Sequence, residues 1–492
     1  MHLGRALTRR VRESHDTAAE RIPSADSLHE ILALRLEVLR LREAQGDVAL
    51  ALRACGIAGG LAEALDEANV DFLARRRLLE LRARAASAFE GATDPDSDPL
   101  YRHRLRTLER IDALLGNAGQ PDAAIDRARA RLGEHEAAAI ARVAGRRVLP
   151  SACVGIEAAA LVGWKAANLA ELTHLAGSGR VPPWFVVTDA AFHEALTSTL
   201  SAGIDEVLRR DDLTLSAKAA AIRGLWESAP LPETLVAEIG DAYARLAESP
   251  WEASERAEAE PYVAVRSSAR EEDTEAAANA GEFDTFLFVR GVTGVADHLR
   301  RAWAGLWNQR ALSARQFAGL RAEPSGGGVI VQRMARARVA GVLQTIHVAN
   351  GDPREIVVNA GLGLGEGIVA GSVGADLITV SKDGDLEHGP LRFRYLTAEK
   401  RHQVVFDRRS GSGTVRVETA YHQRLRPALE YVELLELVGC AARLEAAFGF
   451  PVDVEFAIEG SRLLLLQVRP VPVHAATLRE TLERHPLPVK EV

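Results

Sequence analysis

Cysteine is scarce in this chain: three residues in 492 (Cys55, Cys153 and Cys440), with no close pair. That excludes a disulfide framework and a Cys-based zinc site, and it points to a reducing compartment, the cytoplasm. No apolar run approaches the length that spans a bilayer, so no membrane partner is expected. The basic start, MHLGRALTRRVRESH, lacks the apolar core of a secretory signal, and a solvated helix face explains it better than an Arg-rich organelle leader. Surplus positive charge is missing as well. With 60 Lys and Arg against 68 Asp and Glu the net charge is -8, whereas counterion release on nucleic acid needs clustered cations, so no nucleic-acid partner is expected. What is present is 47% apolar residues, enough to build real cores over roughly three domains.

Residues 1–149 read as an α-helical accessory domain. Ser27 and Glu30 fit a capping box, and Ile31, Leu34, Val38 and Leu41 follow at helical spacing. Leu32, Leu36 and Leu39 widen the apolar face, which suits a bundle better than a two-stranded coiled coil. Breakers at Gly59 and Gly60, in GATDPDSDP (residues 91–99) and around Gly119 and Pro121 divide the region into several helices. Arg-rich stretches such as Arg75, Arg76 and Arg77 are solvated helix faces.

From Pro150 the texture is mixed. Short β-branched runs (FVVT, YVAVRSS, GVIVQRM, EIVVNA) alternate with helical stretches and glycine-rich turns, an α/β pattern. GLGLGEG (residues 361–367) has the spacing GxGxGxG, which is not a dinucleotide fingerprint. Near the C-terminus, DVEFAIEGSRLLLLQVRP (residues 453–470) reads as a β-hairpin. Val454, Phe456 and Ile458 on one arm and Leu464, Leu466 and Val468 on the other give an apolar face. A three-residue loop of Gly460, Ser461 and Arg462 sets Glu455 opposite Gln467 and Asp453 opposite Arg469; a two-residue loop instead sets Glu455 opposite Leu466. A carboxylate beside an amide carbonyl offers the hard oxygens Mg²⁺ accepts, and a guanidinium suits phosphate.

Three further ordered segments, taken with this hairpin, resemble the nucleotide-binding part of the pyruvate phosphate dikinase and phosphoenolpyruvate synthase family. GWKAANLAEL (residues 163–172) is followed by VPPWFVVTDAAF (residues 181–192), and VAVRSSAREEDTEAAANAGEFDTFL (residues 263–287) follows without a gap against the family pattern. The likeness continues through WAGLWNQRAL, VIVQRM, VAGVLQT and GLGEGIVAG and covers roughly residues 150–473. It implies a two-lobed ATP-grasp unit of α/β (α+β) class preceded by the all-α domain. The expected boundaries are 150–320 for a first lobe with the phosphate contacts, 321–475 for a second lobe with the adenine strand and the Mg-binding hairpin, and 476–492 for a tail.

The same resemblance implies the chemistry. Lys165, Arg266 and Arg469 correspond to the family's phosphate-binding, catalytic cations, and Glu455 and Gln467 to its Mg²⁺ ligands. Gln332 and Met334 fall on the segment that runs past the adenine base, and Gly341 and Thr345 on a phosphate-approaching strand. The implied cofactors are ATP and Mg²⁺. Trp164 and Trp184 replace glycines of the family pattern, as packed core or as walls of a narrowed cleft. Gln344, His347 and Val348 stand where the family has Phe and Asn-Pro, and Ala375 replaces a proline before Asp376.

None of the 14 histidines has the glycine-rich context of the family's phosphate-carrying histidine; Ser14-His15 and Thr173-His174 are the nearest lookalikes. The expectation is an ATP-dependent phosphotransferase component whose acceptor histidine is supplied in trans by a swivel-type domain of a partner protein. The alternatives are a non-catalytic ATP/AMP-sensing module acting through the helical domain, and direct phosphorylation of a small molecule.

Overall fold

The computed structural model describes residue 105 and residues 123–176, 179–248, 260–269, 285–317, 326–352, 354–383, 386, 389–448 and 451–471. The capping box, the leucine-rich helix and the breakers read before residue 123 lie outside the described residues. Within them, helix Ala123–Val143 leads into the mixed region.

Strands β1 (Val148–Pro150), β2 (Trp184–Val187), β3 (Val263–Ala269), β4 (Thr285–Val289) and β5 (Gly327–Arg333) form one antiparallel sheet in the order β1-β2-β5-β3-β4. Phe185, Val187, Val265, Val329 and Val331 face helices Asp189–Ala195, Leu215–Ser228, Glu233–Glu248 and Gly291–Ala304. Phe192, Trp226, Trp303 and Trp307 interlock there, with Phe192 and Trp226 stacked at 5.7 Å. Burial of each such ring contributes on the order of 2–3 kcal/mol, so this face anchors the sheet.

The other face of the sheet, with Trp184, Val186 and Ile330, meets helix Trp164–Ala176. Every residue from Ala166 to Leu172 is buried, Asn168 and Glu171 included, and the small Ala166, Ala167 and Ala170 let the helix pack closely on the core.

The second sheet contains β6 (Val339–Gln344), β7 (Glu355–Leu362), β8 (Asp376–Ser381), β9 (Phe393–Leu396), β12 (Val452–Glu459) and β13 (Arg462–Pro470), in the order β13-β12-β6-β7-β8-β9. Leu343, Ile356, Val358, Ile378, Val380, Val454, Phe456 and Ile458 pack on helix Tyr431–Phe448 in the core that also holds helix Trp164–Ala176. A separate ribbon pairs β10 (His402–Phe406) with β11 (Thr414–Glu418). Among the described residues no helix is long and apolar enough to cross a membrane.

Three expectations change. First, β5 pairs with both β2 and β3, so the chain leaves the five-stranded sheet between Arg333 and Val339, not at residue 320. A strand buried on both faces carries no mark of which sheet it joins. Second, β1 pairs with β2, and neighbouring Arg147 bonds Glu194 at 2.9 Å, Thr234 at 2.9 Å and Glu238. Residues 147–149 therefore belong to the mixed region.

The third concerns the hairpin. Glu459 pairs with Arg462, so the loop is the two-residue Gly460-Ser461, with Gly460 at φ +62°. Glu455 nevertheless faces Gln467, and Asp453 faces Arg469, because the register shifts between Glu455 and Phe456 and leaves Leu466 as the extra residue of a β-bulge. The bulge also changes the apolar face: Leu463, Leu465 and Val468 enter the main core, whereas Leu464 and Leu466 turn to a small cluster with Ala335, Ala340 and Ala457.

Candidate functional site

Alternation along β3 points Val263 and Val265 into the helical core and sends Arg266 to the opposite face. There it crosses to the hairpin of the second sheet. Arg266 Nη2 donates to Glu455 Oε2 at 2.9 Å and to Gln467 Oε1; Nη1 donates to the Leu466 carbonyl at 3.2 Å and to Gln332 Oε1 at 3.4 Å. The Leu466 carbonyl is available because the bulge takes it out of the ladder. Four expected residues, Arg266, Gln332, Glu455 and Gln467, thus converge from two sheets across sequence separations of 66 to 201.

Arg266, Gln332 and Gln467 are 9%, 3% and 5% exposed, so the charge sits in a site of low dielectric where its pairing with Glu455 is strong. Arg266 Nε and Gln332 Nε2 are buried donors with no partner among the described residues. Unsatisfied buried donors are costly, and an anion placed against them would complete their hydrogen bonding.

Lys165 begins the sandwiched helix, whose first turn is tied to β3: the Ala166 N–H donates to Ser268 Oγ at 3.0 Å. Gly163, at φ +79°, lies so close to the Ser268 carbonyl that a Cβ would collide with it. The backbone therefore brings Lys165 beside β3 two residues past Arg266. Arg469 lies on the same hairpin face as Gln467 and grips Asp453 Oδ2 through Nε at 3.1 Å and Nη2 at 2.8 Å. Burial pushes the Asp453 carboxyl above its ordinary range while Arg469 pulls it back.

Other expected residues are placed elsewhere. Gly341 and Thr345 share the parity of Val339 and Leu343, which face the core, so neither lies on the Glu455 face. The space for a Cβ at Gly341 is filled by the Asn359 carbonyl and the Phe456 ring, so packing inside the sheet requires the glycine. Thr345 is fully buried; its hydroxyl accepts from the Val452 N–H at 2.8 Å and fixes the start of β12. Met334 donates its N–H to the Tyr262 carbonyl at 2.9 Å and packs in an aromatic cluster. Trp184 is packed core, its Nε1 donating to Thr173 Oγ1 at 3.0 Å, and Trp164 packs partly buried against the same core. His347 closes the β6–β7 connection, its N–H donating to the Asp352 carbonyl at 3.0 Å.

The sequence reading missed Ser268 and the Leu466 carbonyl. Ser268 stood inside the VRSSA motif and could have been singled out. The carbonyl depends on a bulge that four successive leucines conceal.

Among the described residues no group of three or more His, Cys, Asp or Glu is placed to hold a metal. Magnesium asks for less, commonly one or two protein oxygens with water and phosphate completing six. Glu455 Oε2 and Gln467 Oε1 both accept from one nitrogen of Arg266, so they sit together as hard donors and fit that demand.

Residues 159–485 match the family described as pyruvate phosphate dikinase, AMP/ATP-binding domain. The chain is 34% identical over 336 residues to a rifampicin phosphotransferase of Streptomyces sp, covering 67% of this chain and 36% of that protein. It is 34% identical over 333 residues to a probable phosphoenolpyruvate synthase of Methanothermobacter thermautotrophicus, with 67% and 46% covered. A phosphoenolpyruvate synthase of Aeropyrum pernix is 33% identical over 359 residues, with 66% and 42% covered. The chain thus spans less than half the length of these curated relatives.

Proposed function

The chain belongs to the pyruvate phosphate dikinase AMP/ATP-binding family, and from that premise we propose that it is an ATP-dependent phosphotransferase component, with Mg-ATP held between its two sheets. The observation that carries this reading is the meeting of Arg266 and Gln332 from one sheet with Glu455 and Gln467 from the other. Only a folded cleft gathers groups so distant in sequence.

Each residue has a role in this reading. Arg266, with its orphaned Nε, and Gln332, with its orphaned Nε2, present donors to phosphate. Lys165, at the helix start, adds a point charge. Arg469, oriented by Asp453, supplies a second planar cation. Glu455 and Gln467 would hold Mg²⁺, which when bound neutralises phosphate charge and orients the leaving oxygen. Gly341 and Thr345 support the strand beneath and contact no nucleotide.

The transferred group is phosphoryl or pyrophosphoryl, leaving ADP or AMP as a P–O bond breaks and a P–N bond forms to an imidazole. In this reading the imidazole belongs to a swivel-type phosphohistidine domain of a partner protein, which supplies it in trans.

The test is calorimetric titration with Mg-ATP, followed by transfer from γ- and β-labelled ATP to a co-purifying protein. Saturable binding and acid-labile label on that protein support the proposal. Binding with no ADP, AMP or label under any condition replaces it with a nucleotide-sensing module. Absence of binding overturns both.

A further inference from the structure

The two sheets touch a second time, through the β10–β11 ribbon. One side of the ribbon is tied to the six-stranded sheet just past the end of β7: the Leu364 N–H donates to the Val404 carbonyl at 2.9 Å. Thr414 Oγ1 donates to Glu366 Oε2 at 2.7 Å. Gly363 and Gly367 have no room for a Cβ against Val404, so this seat is close-packed.

The other side reaches the five-stranded sheet. The Phe406 ring lies 4.5 Å from Phe288 of β4 and 4.9 Å from Tyr262, which precedes β3. The Tyr262 hydroxyl donates to the Gly411 carbonyl in the ribbon's turn at 3.2 Å. Met334, which opens the crossing between the sheets, packs in the same cluster.

Phe288 is unusual in its backbone. Its φ is +56°, and it is the one non-glycine residue with positive φ among the described residues. It also sits where the β3–β4 register shifts, with Val263 facing Val289 and Val265 facing Phe286. A bulky residue at positive φ is disfavoured and persists only where its surroundings over-determine it. Bulges re-aim side chains. The ring re-aimed here is the one that meets Phe406.

We propose that the β10–β11 ribbon is a latch across the nucleotide cleft, with Phe406 as its positioning residue. The proposal rests on the Mg-ATP reading of the cleft. Latched, the ribbon holds the sheets at the separation where Arg266 reaches Glu455 and Gln467. Released, it lets them part about the Met334 crossing so that nucleotide enters or leaves. The contact is built to open: Phe406 and Tyr262 are only partly buried, and among the described residues no strand pairing joins the ribbon to either large sheet beyond the isolated Gly363–Val404 bridge.

The experiment compares full-length wild type with Phe406→Ala by amide exchange over residues 403–415 and by stopped-flow release of a fluorescent ATP analogue in Mg²⁺. Loss of two ring contacts should raise both rates about tenfold. Phe288→Ala combined with Phe406→Ala should release nucleotide no faster than either alone. A purely structural role would shift the melting temperature without this release effect or this non-additivity. Unchanged ribbon exchange, unchanged release or simple additivity overturns the latch.

Two arms cover a variant that fails to fold. Phe406→Leu keeps the apolar volume and should give a smaller acceleration in the same direction. Mg-ATP should slow ribbon exchange in wild type, and no slowing on bound nucleotide overturns the proposal. If wild type binds no nucleotide at all, it is the site assignment that fails. The exchange comparison without nucleotide then decides the latch, unchanged rates overturning it.

Discussion

Arg266 donates at once to a carboxylate, two side-chain amides and a backbone carbonyl, which only a planar fork of five N–H groups can do. Arg266→Lys keeps the charge and loses the fork. Its kcat for nucleotide turnover should fall about 100-fold or more, the cost of one lost electrostatic donor. Glu455→Ala should lose turnover to a similar degree and melt below wild type, because it strands the buried Arg266 guanidinium, whereas Glu455→Gln keeps an oxygen for Arg266 and should lose turnover with a smaller fall in melting temperature. A pH test belongs to Asp453. Burial raises its carboxyl above the ordinary range, so the native state takes up a proton more readily than the unfolded chain. Its contribution to stability is therefore full below the unfolded pKa and is lost as pH rises through the folded one. Activity runs the other way, since protonation releases Arg469. Turnover should show an acid limb at higher pH than an exposed aspartate would give, and Asp453→Asn should lack it. An identical limb in the variant assigns it to another group. That Arg266, Gln332, Glu455 and Gln467 meet in the fold was legible in the sequence, because the motifs that carry them resemble one family in order. Gly341 and Thr345 were misread although alternation from Val339 and Leu343 already placed them on the core face.

The hairpin shows what elements reveal and hide. The alternation of residues 453–458 marks its first arm, but Leu463 to Leu466 has no polar residue to set a phase, so the choice between a two- and a three-residue loop stayed open and the bulge that combines the shorter loop with the Glu455–Gln467 pairing was out of reach. β5, buried on both faces, likewise could not be assigned to a sheet. Another element-level contact is a buried ion pair: Lys382 Nζ, just past β8, meets both Glu445 oxygens at 2.9 and 2.8 Å on helix Tyr431–Phe448. Burial depresses the Lys382 pKa while Glu445 opposes the shift. Removing one partner strands a charge, so Glu445→Ala should cost about 3–5 kcal/mol in denaturant unfolding. Lys382→Met with Glu445→Leu should be near neutral or stabilising, since desolvating the pair already offsets much of its attraction. Equal losses in the single and double variants would mean that the pair acts through packing alone.

At the scale of the whole molecule, the ATP-binding unit begins before residue 150. Leucine periodicity suggested a helical domain ending at 149, yet Val148 and Leu149 are buried strand residues paired with β2, and Arg147 ties the sheet to Glu194, Thr234 and Glu238. Cutting at 149 removes all of these. Burial of the two side chains alone accounts for roughly 3–6 kcal/mol, a large part of a domain's stability. A fragment of residues 150–492 should thus unfold or aggregate whether or not the residues before 123 brace the sheets. A fragment of residues 123–492 keeps helix Ala123–Val143, Arg147 and β1, and it should bind Mg-ATP within about threefold of the full chain. If the residues before 123 dock a partner or mediate oligomerisation, this longer fragment loses its partner or changes its sedimentation while its nucleotide affinity stands. If it instead loses nucleotide binding and melts far below the full chain, the earlier residues brace the sheets, and partner recruitment must lie on the ATP-binding unit itself.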